Sequence, residues 1–360
     1  MRIGFFSPTI NRVGGGEWVT MNMINSLKTK GHEIIVYSAE RVDAKGLFQF
    51  FGRKVCFDEE IRYWPYVFDP FDPKSLYDNA FRSFVFRSKC DLLIDTFSNS
   101  LMPWCHATYF QGNAFVSLIP KDWRGLYFMP FKTLLRQFNR NSSYKDKIAM
   151  ACSHFSAKMI EEAIDHEIQV LYPPISNFFR DGEFTENSRN NIVITVSRFA
   201  KEKHLEIVPK IAKMASKKYC FVICGACRCS KDLLSVQKSV KQFGVEDNIR
   251  LMPNISRMKL RDLMRRSKVC LHTGMNEPFG VSIIESMASG CIPVVPDCGG
   301  PREFVPKQQR YENIDQAVSL IESSLSKWSP EVASKYIGIS NRFSEEQFCD
   351  DFLRIMKLED

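Results

Sequence analysis

The sequence predicts an α/β protein with two doubly wound parallel-sheet domains that face each other across a cleft. Short apolar runs alternate with amphipathic segments through both halves of the chain, as strands and helices do in parallel sheets. A length of 360 residues, 44% of them hydrophobic and 25% charged, is sufficient for two domains of roughly 150 to 180 residues. Runs such as IVITV at 192–196 are nearly all β-branched, as is typical of strands buried on both faces.

The first half begins with a predicted βαβ unit. Strands are expected at 3–7 and 33–38, and the helix at 17–30 between them carries regularly spaced apolar residues. A Phe-rich middle with poor periodicity follows. Beyond it we expect strands at 91–95, 108–110 and 147–153, and a helix that begins at residue 155.

The second half repeats the alternation after the paired prolines Pro173 and Pro174 and a polar link at 180–191. We therefore expect a first domain at 1–175 and a second at 176–343. Apolar residues at Phe348, Phe352 and Leu353 predict a final helix within 344–360. In the second domain the predicted strands are 192–196, 220–224, 249–252, 269–272 and 292–295, and the predicted helices are 204–217, 233–243, 258–266 and 279–288.

Composition narrows the possible functions. No stretch approaches the ~20 apolar residues of a membrane-spanning helix, and the amino terminus reads as a strand, so a cytoplasmic location is expected. The twelve cysteines are scattered through predicted strands and helices and favour reduced thiols, and no metal site is predicted from the cluster at 224–229. The net charge of +8 suits nucleic acid, an anionic membrane or a phosphate-bearing substrate, but no nucleic-acid-binding motif accompanies it.

Glu277 and Glu285 lie on either side of a predicted helix N-terminus, in the segment NEPFGVSIIE at 276–285. Such a terminus favours a phosphate, because its backbone N–H groups lack partners and carry positive dipole charge. A carboxylate on either side can accept hydrogen bonds from sugar hydroxyls. The combination suits a nucleotide sugar, although a lone glutamate near a helix start is often only a surface charge.

Arg198 and Lys203 follow the first strand of the second domain, on one loop. A guanidinium and an ammonium so placed can neutralise a diphosphate leaving group, and a solvated basic turn is the alternative. Glycines at 14–16 and 299–300 also follow predicted strands, where they allow close backbone approach to a ligand or form plain turns. The GGG run lacks the G-x-G-x-x-G spacing that a nicotinamide-dependent oxidoreductase would need.

These motifs together resemble retaining glycosyltransferases of the GT-B fold, family 4, whose two domains are Rossmann-like. The resemblance rests on VGGGE at 13–17, YPP at 172–174, Ser197 and Arg198 with Lys203, HTGMNEPFG at 272–280 and GGP at 299–301. The shorter strings are most similar to the alpha-1,2-mannosyltransferases that extend lipid-linked oligosaccharides in N-glycan assembly. The resemblance also implies that the C-terminal helix crosses back to the first domain.

The resemblance implies a role for each site residue. Arg198 and Lys203 would hold the donor diphosphate, Glu277 would accept from hydroxyls of the transferred hexose and Glu285 from the ribose. The amides of Phe279, Gly280 and Val281 would face the sugar and phosphate. From its place between a strand and a helix, the glycine loop would bring the amides of Gly15 and Gly16 near the donor diphosphate or leave room for an acceptor. By resemblance, His106 occupies the place of a first-domain histidine near the acceptor or reacting sugar, and a satisfied structural histidine is the alternative; the residues after it, ATYFQGN, depart from the family's His-Tyr-Pro version.

The reaction so implied is retaining transfer of a hexose, with mannose from GDP-mannose favoured, to a hydroxyl of a glycan acceptor that is either free or linked to a polyprenyl diphosphate. No metal and no cofactor are predicted, because the cations supply the charge and no Asp-x-Asp motif lies near the site. UDP-glucose or UDP-N-acetylglucosamine remains an alternative donor, and a non-catalytic nucleotide-sugar-binding protein an alternative class. Aromatic and basic residues at 47–54 and 123–136 suit either an anionic membrane surface or an ordinary core.

Overall fold

The computed structural model describes residues 1–63, 73–102, 104–112, 125–126, 129–130, 133, 146–164, 166–180 and 189–359, and within 73–77 only the backbone. The chain divides into two compact units. The first comprises Met1–Pro174 and Glu345–Asp360, and the second comprises Ile175–Ser344. Residues 181–188 of the predicted link, and most of the stretch 123–136, lie outside the described residues.

The first unit contains a seven-stranded sheet in the order β3-β2-β1-β4-β5-β6-β7, and each neighbouring pair is parallel. The predicted strands of this half are confirmed with shifts of a few residues at their ends. The order reverses between β1 and β4, which is where parallel α/β sheets place ligands at their carboxyl edge. The strands are β1 (Arg2–Phe6), β2 (Glu33–Ser38), β3 (Glu59–Arg62), β4 (Leu92–Asp95), β5 (Ala107–Phe110), β6 (Ile148–Ala151) and β7 (Gln169–Val170).

Three helices of the first unit, α1, α3 and α4, pack on strands of this sheet. The Phe-rich middle, for which periodicity gave no prediction, contains two helices and the edge strand β3. The last helix packs on α1, where Ser26 Oγ lies 2.8 Å from Cys349 Sγ, and Arg53 pairs with Glu345. The helices are α1 (Gly15–Thr29), α2 (Ala44–Phe51), α3 (Pro73–Arg87), α4 (His154–Ile164) and, at the chain's end, α11 (Glu345–Met356).

The second unit contains a six-stranded parallel sheet in the order β10-β9-β8-β11-β12-β13, which reverses between β8 and β11. All five predicted strands are confirmed, and β13 is an additional edge strand. Val193, Leu271 and Val294 are fully buried between the helices that cover the two faces. The strands are β8 (Asn190–Val196), β9 (Cys220–Gly225), β10 (Ile249–Pro253), β11 (Ser267–Leu271), β12 (Ile292–Pro296) and β13 (Arg310–Tyr311).

Two predicted helices of the second unit are shorter than expected. Helix α5 begins at Ile207 because His204 adopts a left-handed backbone with φ 50°. Helix α8 begins at Val281 because Gly280 has φ 100° and ends the preceding loop. The helices are α5 (Ile207–Met214), α6 (Ser230–Phe243), α7 (Arg257–Arg266), α8 (Val281–Ala288), α9 (Ile314–Lys327) and α10 (Pro330–Ser340). In the described part of the chain no helix has the length and hydropathy needed to cross a membrane.

Arg189 connects several elements at the amino edge of the second sheet. Its buried guanidinium donates to the carbonyl oxygens of Met264 at 3.0 Å, and of Ser267 and Ser289, so it connects α7, β11 and the end of α8. It also lies 5.1 Å from the ring centroid of Trp328. Burial lowers the pKa of Arg189, but the three carbonyls compensate the charge.

We expect Arg189→Gln to lower the free energy of unfolding of the second unit by about 3 kcal/mol, because it leaves buried carbonyl groups without a donor. Urea unfolding followed by circular dichroism measures this change. Arg250→Gln, at an exposed position on β10, is the matched control and should change stability little. Equal stability of the two variants would contradict this role.

Candidate functional site

The candidate site lies at the carboxyl edge of the second sheet, where the loops after β8 and β11 meet. Lys203 ends a short 3-10 turn after β8, and its Nζ lies 2.6 Å from Glu277 Oε2. The side chains are only 16% and 15% exposed. Thr273 Oγ1 donates to the Lys203 carbonyl oxygen at 2.7 Å and holds the two loops together. The structure therefore brings together two of the predicted site residues as a partly buried ion pair.

His272 is a third member of this cluster. It follows β11 and is buried, and its Nε2 lies 3.3 Å from the same Glu277 Oε2. The sequence interpretation quoted His272 as part of a motif but gave it no role. Its position at the end of a predicted strand, five residues before Glu277, was the available signal.

The charge state of Glu277 follows from these neighbours. Burial by itself would raise the pKa of Glu277, but His272 and the Lys203 ammonium lower it from 4.5 to about 2. Oxygen Oε2 faces both groups, and Oε1 has no donor among the described residues. An ionised carboxylate with one uncommitted oxygen is a good acceptor for a ligand hydroxyl.

Close backbone contacts hold the Glu277 loop. Gly300 N–H donates to the Glu277 carbonyl oxygen at 2.8 Å, and a Cβ on Gly299 would lie 2.6 Å from that oxygen. Gly299 also has φ 73°, so the loop after β12 requires glycine at this position.

Helix α8 points its N-terminus at the same edge. Ser282 Oγ donates to the Val196 carbonyl oxygen at 2.9 Å and ties the first turn of α8 to the end of β8. The first N–H groups of a helix, here from Val281 on, have no intrahelical acceptor. The Phe279 ring is buried against Phe304 and Phe343, so Phe279 offers a ligand its backbone rather than its side chain.

Arg198 lies on the loop after β8 and Glu285 on α8, but their surroundings differ from those of Lys203 and Glu277. Arg198 is exposed on the loop after β8, and its Nη2 lies 3.3 Å from Glu202 Oε1. Glu285 lies one turn into α8. Burial raises the pKa of Glu285 to about 7, and Arg257 opposes that rise. No contact joins Glu285 to Lys203 or Glu277 among the described residues.

In the first unit, the glycine loop and His106 are at opposite ends of the sheet. Gly15 and Gly16 begin α1, after β1, at the carboxyl edge. His106 was expected near the acceptor or the reacting sugar, but it immediately precedes β5, at the amino edge of the sheet and away from the glycine loop. Its Nδ1 accepts from the Leu93 N–H at 2.9 Å. Burial lowers the pKa of His106 to about 4, so it is a neutral structural residue rather than part of the carboxyl-edge site.

We expect Glu277→Gln to remove a pH-dependent part of the stability. Because the folded-state pKa of about 2 is below the ordinary 4.5, the ionised form stabilises the fold above pH 4.5, and this stabilisation is lost as the pH falls toward 2. The difference in unfolding free energy between wild type and variant should be on the order of 3 kcal/mol at pH 6 and shrink toward pH 3. Urea unfolding at several pH values measures it. Glu202→Gln is the exposed control, and a difference that does not vary with pH would overturn the assignment.

Comparisons with known proteins agree with this geometry. Residues 178–338, which include the whole of this edge, match the family described as glycosyl transferases group 1. Over 218 residues the chain is 25% identical to the GDP-Man:Man(3)GlcNAc(2)-PP-Dol alpha-1,2-mannosyltransferase of Dictyostelium discoideum, covering 53% of this chain and 42% of that protein. The Homo sapiens protein of the same name is 25% identical over 208 residues, covering 51% and 42%. The chain thus spans about two fifths of the length of these relatives.

Among solved structures, the Anabaena protein HepE in complex with UDP and glucose is similar with a TM-score of 0.74. The sequences are 14% identical, and the match covers 99% of each chain. A structural similarity at this sequence identity shows the fold alone. The family match covers residues of the second unit. Taken together, they show that the chain has the fold of this structure and that its second unit is similar to the glycosyl transferases group 1 family.

Proposed function

We propose that the protein is a retaining hexosyltransferase that moves mannose from GDP-mannose to a hydroxyl of a glycan acceptor carried on a polyprenyl diphosphate. The observation that carries this proposal is the cluster of Lys203, Glu277 and His272 at the carboxyl ends of β8 and β11. It lies beside the N-terminus of α8, within the residues that match the glycosyltransferase family. Membership of family 4 belongs to the same proposal.

The main chemical task is to stabilise the departing diphosphate. An acceptor hydroxyl attacks the anomeric carbon while the bond to the phosphate oxygen breaks on the same face. Negative charge grows on the leaving phosphate, and the Lys203 ammonium, the Arg198 guanidinium and the first amides of α8 are placed to receive it. A leaving phosphate oxygen takes the hydroxyl proton, so the proposal requires neither a separate base nor a metal ion.

Lys203 performs two functions in this scheme. Its ammonium group has three N–H donors, so it can keep its contact with Glu277 and also bind a phosphate oxygen. Glu277 then presents Oε1 to hydroxyls of the hexose. Because its pKa is about 2, this carboxylate is ionised at neutral pH and acts as an acceptor, not as a proton donor.

Glu285 is proposed to accept hydrogen bonds from the ribose hydroxyls. It lies one turn along α8, and a pKa of about 7 means that it is partly protonated at neutral pH before the donor binds. A bound ribose would supply donors to the carboxylate and favour its ionised form. The assignment rests on this place on α8 and on the resemblance.

The donor is the least constrained part of the proposal. The curated relatives are named for GDP-Man, whereas HepE was solved with UDP and glucose. UDP-glucose and UDP-N-acetylglucosamine therefore remain alternative donors. A protein that binds a nucleotide sugar without transferring it is the alternative of another class.

A membrane-bound acceptor is supported by the exposed aromatic residues of α2. This helix buries Leu47 and packs Phe51 on Trp18, but it leaves Phe48 46% and Phe50 40% exposed. Exposed Lys45 and Lys54 flank them. Exposed aromatic rings between cations suit an anionic membrane interface, so we propose peripheral binding at a cytoplasmic membrane face.

We expect Lys203→Gln and Arg198→Gln each to lower turnover by about 100-fold, because each removes charge that stabilises the leaving diphosphate. Release of nucleoside diphosphate in the presence of acceptor measures turnover. Lys201→Gln is the matched control, since Lys201 is exposed on the same turn. Equal losses in all three variants, or none, would contradict the assigned roles.

Donor profiling tests the substrate. The protein is incubated with GDP-mannose, UDP-glucose or UDP-N-acetylglucosamine and a polyprenyl-diphosphate-linked glycan, and both thermal shift and nucleoside diphosphate release are recorded. GDP-mannose should give the largest shift and release. A shift without release for every donor would support the non-catalytic alternative.

Binding to the membrane is tested by sedimentation with anionic and neutral vesicles at low salt. The wild type should sediment with anionic vesicles, and Phe48→Ser with Phe50→Ser should lose at least half of this binding, because the apolar contribution to insertion is removed. Phe81→Ser, at another exposed phenylalanine of the first unit, is the control. If the wild type does not bind anionic vesicles, the proposed membrane binding is wrong.

A further inference from the structure

Gln111, and not His106, is the polar residue that β5 places at the carboxyl edge of the first sheet. It follows β5 directly and is exposed, on the same edge as the glycine loop that begins α1. His106 lies at the other end of the same strand. The polar side chain that β5 presents at the ligand edge is therefore a neutral carboxamide.

The backbone and side chain of Gln111 are each fixed by a hydrogen bond. Its backbone N–H donates to Asn99 Oδ1 at 2.9 Å, and its Nε2 donates to the Thr96 carbonyl oxygen at 2.6 Å. Thr96 N–H donates in turn to the Phe6 carbonyl oxygen at the end of β1. An exposed glutamine ordinarily samples many rotamers, and restraining one costs up to about 2 kcal/mol of entropy. Here the loops after β1, β4 and β5 hold the carboxamide in one orientation.

The carboxamide oxygen points to the start of α1. A Cβ on Gly16 would lie 1.9 Å from Gln111 Oε1, so the side chain takes the space that only glycine leaves open. Among the described residues no donor pairs with Oε1. The side chain is thus anchored through its nitrogen and has an unused acceptor beside the first turn of α1.

This chemistry suits a hydroxyl. A hydroxyl group both donates and accepts, and here a carbonyl acceptor lies beside the first N–H groups of a helix, which are donors. A neutral acceptor offers nothing to a phosphate. The residues proposed to hold the donor, Arg198, Lys203 and Glu277, all belong to the second unit.

We infer that Gln111 is a specificity-determining residue for the acceptor: its Oε1 accepts a hydrogen bond from a hydroxyl of the acceptor glycan, and Gly16 provides the space for it. The inference rests on the proposed function. A glutamine takes no proton, which agrees with a reaction in which the leaving phosphate does so.

Gln111→Ala should raise the acceptor KM about tenfold, which corresponds to the loss of one hydrogen bond, and leave the donor KM and the donor-induced thermal shift unchanged. Gln169→Ala, an exposed glutamine on β7, is the matched control. Gln111→Glu distinguishes a direct role of this side chain in acceptor binding from a purely structural role. Its carboxylate repels the Thr96 carbonyl oxygen at pH 7.5, but once protonated it can donate to it, so activity relative to wild type should recover as the pH falls toward about 4, near the ordinary pKa of a glutamate.

Gly16→Ala provides an independent test, because its methyl group should displace the Gln111 side chain. Gly16→Ala and Gln111→Ala should each raise the acceptor KM, and the double variant should be no worse than either single variant. Additive effects, a rise confined to the donor KM, or an unchanged acceptor KM in Gln111→Ala would overturn the inference. If the wild type transfers no sugar from any donor, the proposed function fails instead, so the two failures are distinguishable.

Discussion

The site in the second unit depends on compensation of one partly buried carboxylate. Without partners, burial would raise the pKa of Glu277, and a protonated carboxyl would be a weaker acceptor for sugar hydroxyls. Lys203 and His272 hold it ionised through a single oxygen, Oε2. The same contact keeps the Lys203 ammonium at the edge where a diphosphate would need it. One ion pair thereby positions both a hydrogen-bond acceptor, Glu277, and a cation, Lys203, before a ligand binds.

Glycine makes this arrangement possible. Gly299 and Gly300 bring the loop after β12 against the backbone of Glu277, and Gly280 turns the chain into α8 with a positive φ. A side chain at Gly299 or Gly300 would collide with the Glu277 loop. The polar groups of the site are therefore positioned by backbone packing, which is stiffer than side-chain contact alone.

The two sheets share a design in which carboxyl edges carry polar groups and amino edges carry structural contacts. Arg189 joins α7, β11 and α8 at the amino edge of the second sheet, and His106 pairs with Leu93 at that of the first. Gln111 lies at the carboxyl edge of the first sheet beside Gly16. A polar residue before a strand and one after it differ little in local sequence, yet they are at opposite ends of the sheet.

Periodicity and residue type in the sequence determined the strands and most of the helices. They also determined that Arg198, Lys203 and Glu277 follow strands, and parallel strands bring these positions to one edge. The sequence also determined the glycines, since only they accept the required φ. Tertiary structure alone decided that Lys203 pairs with Glu277 across 74 residues, that His272 joins them and that Gln111 rather than His106 reaches the ligand edge. These facts depend on strand register and loop packing, and local sequence does not encode the distance between residues far apart in the chain.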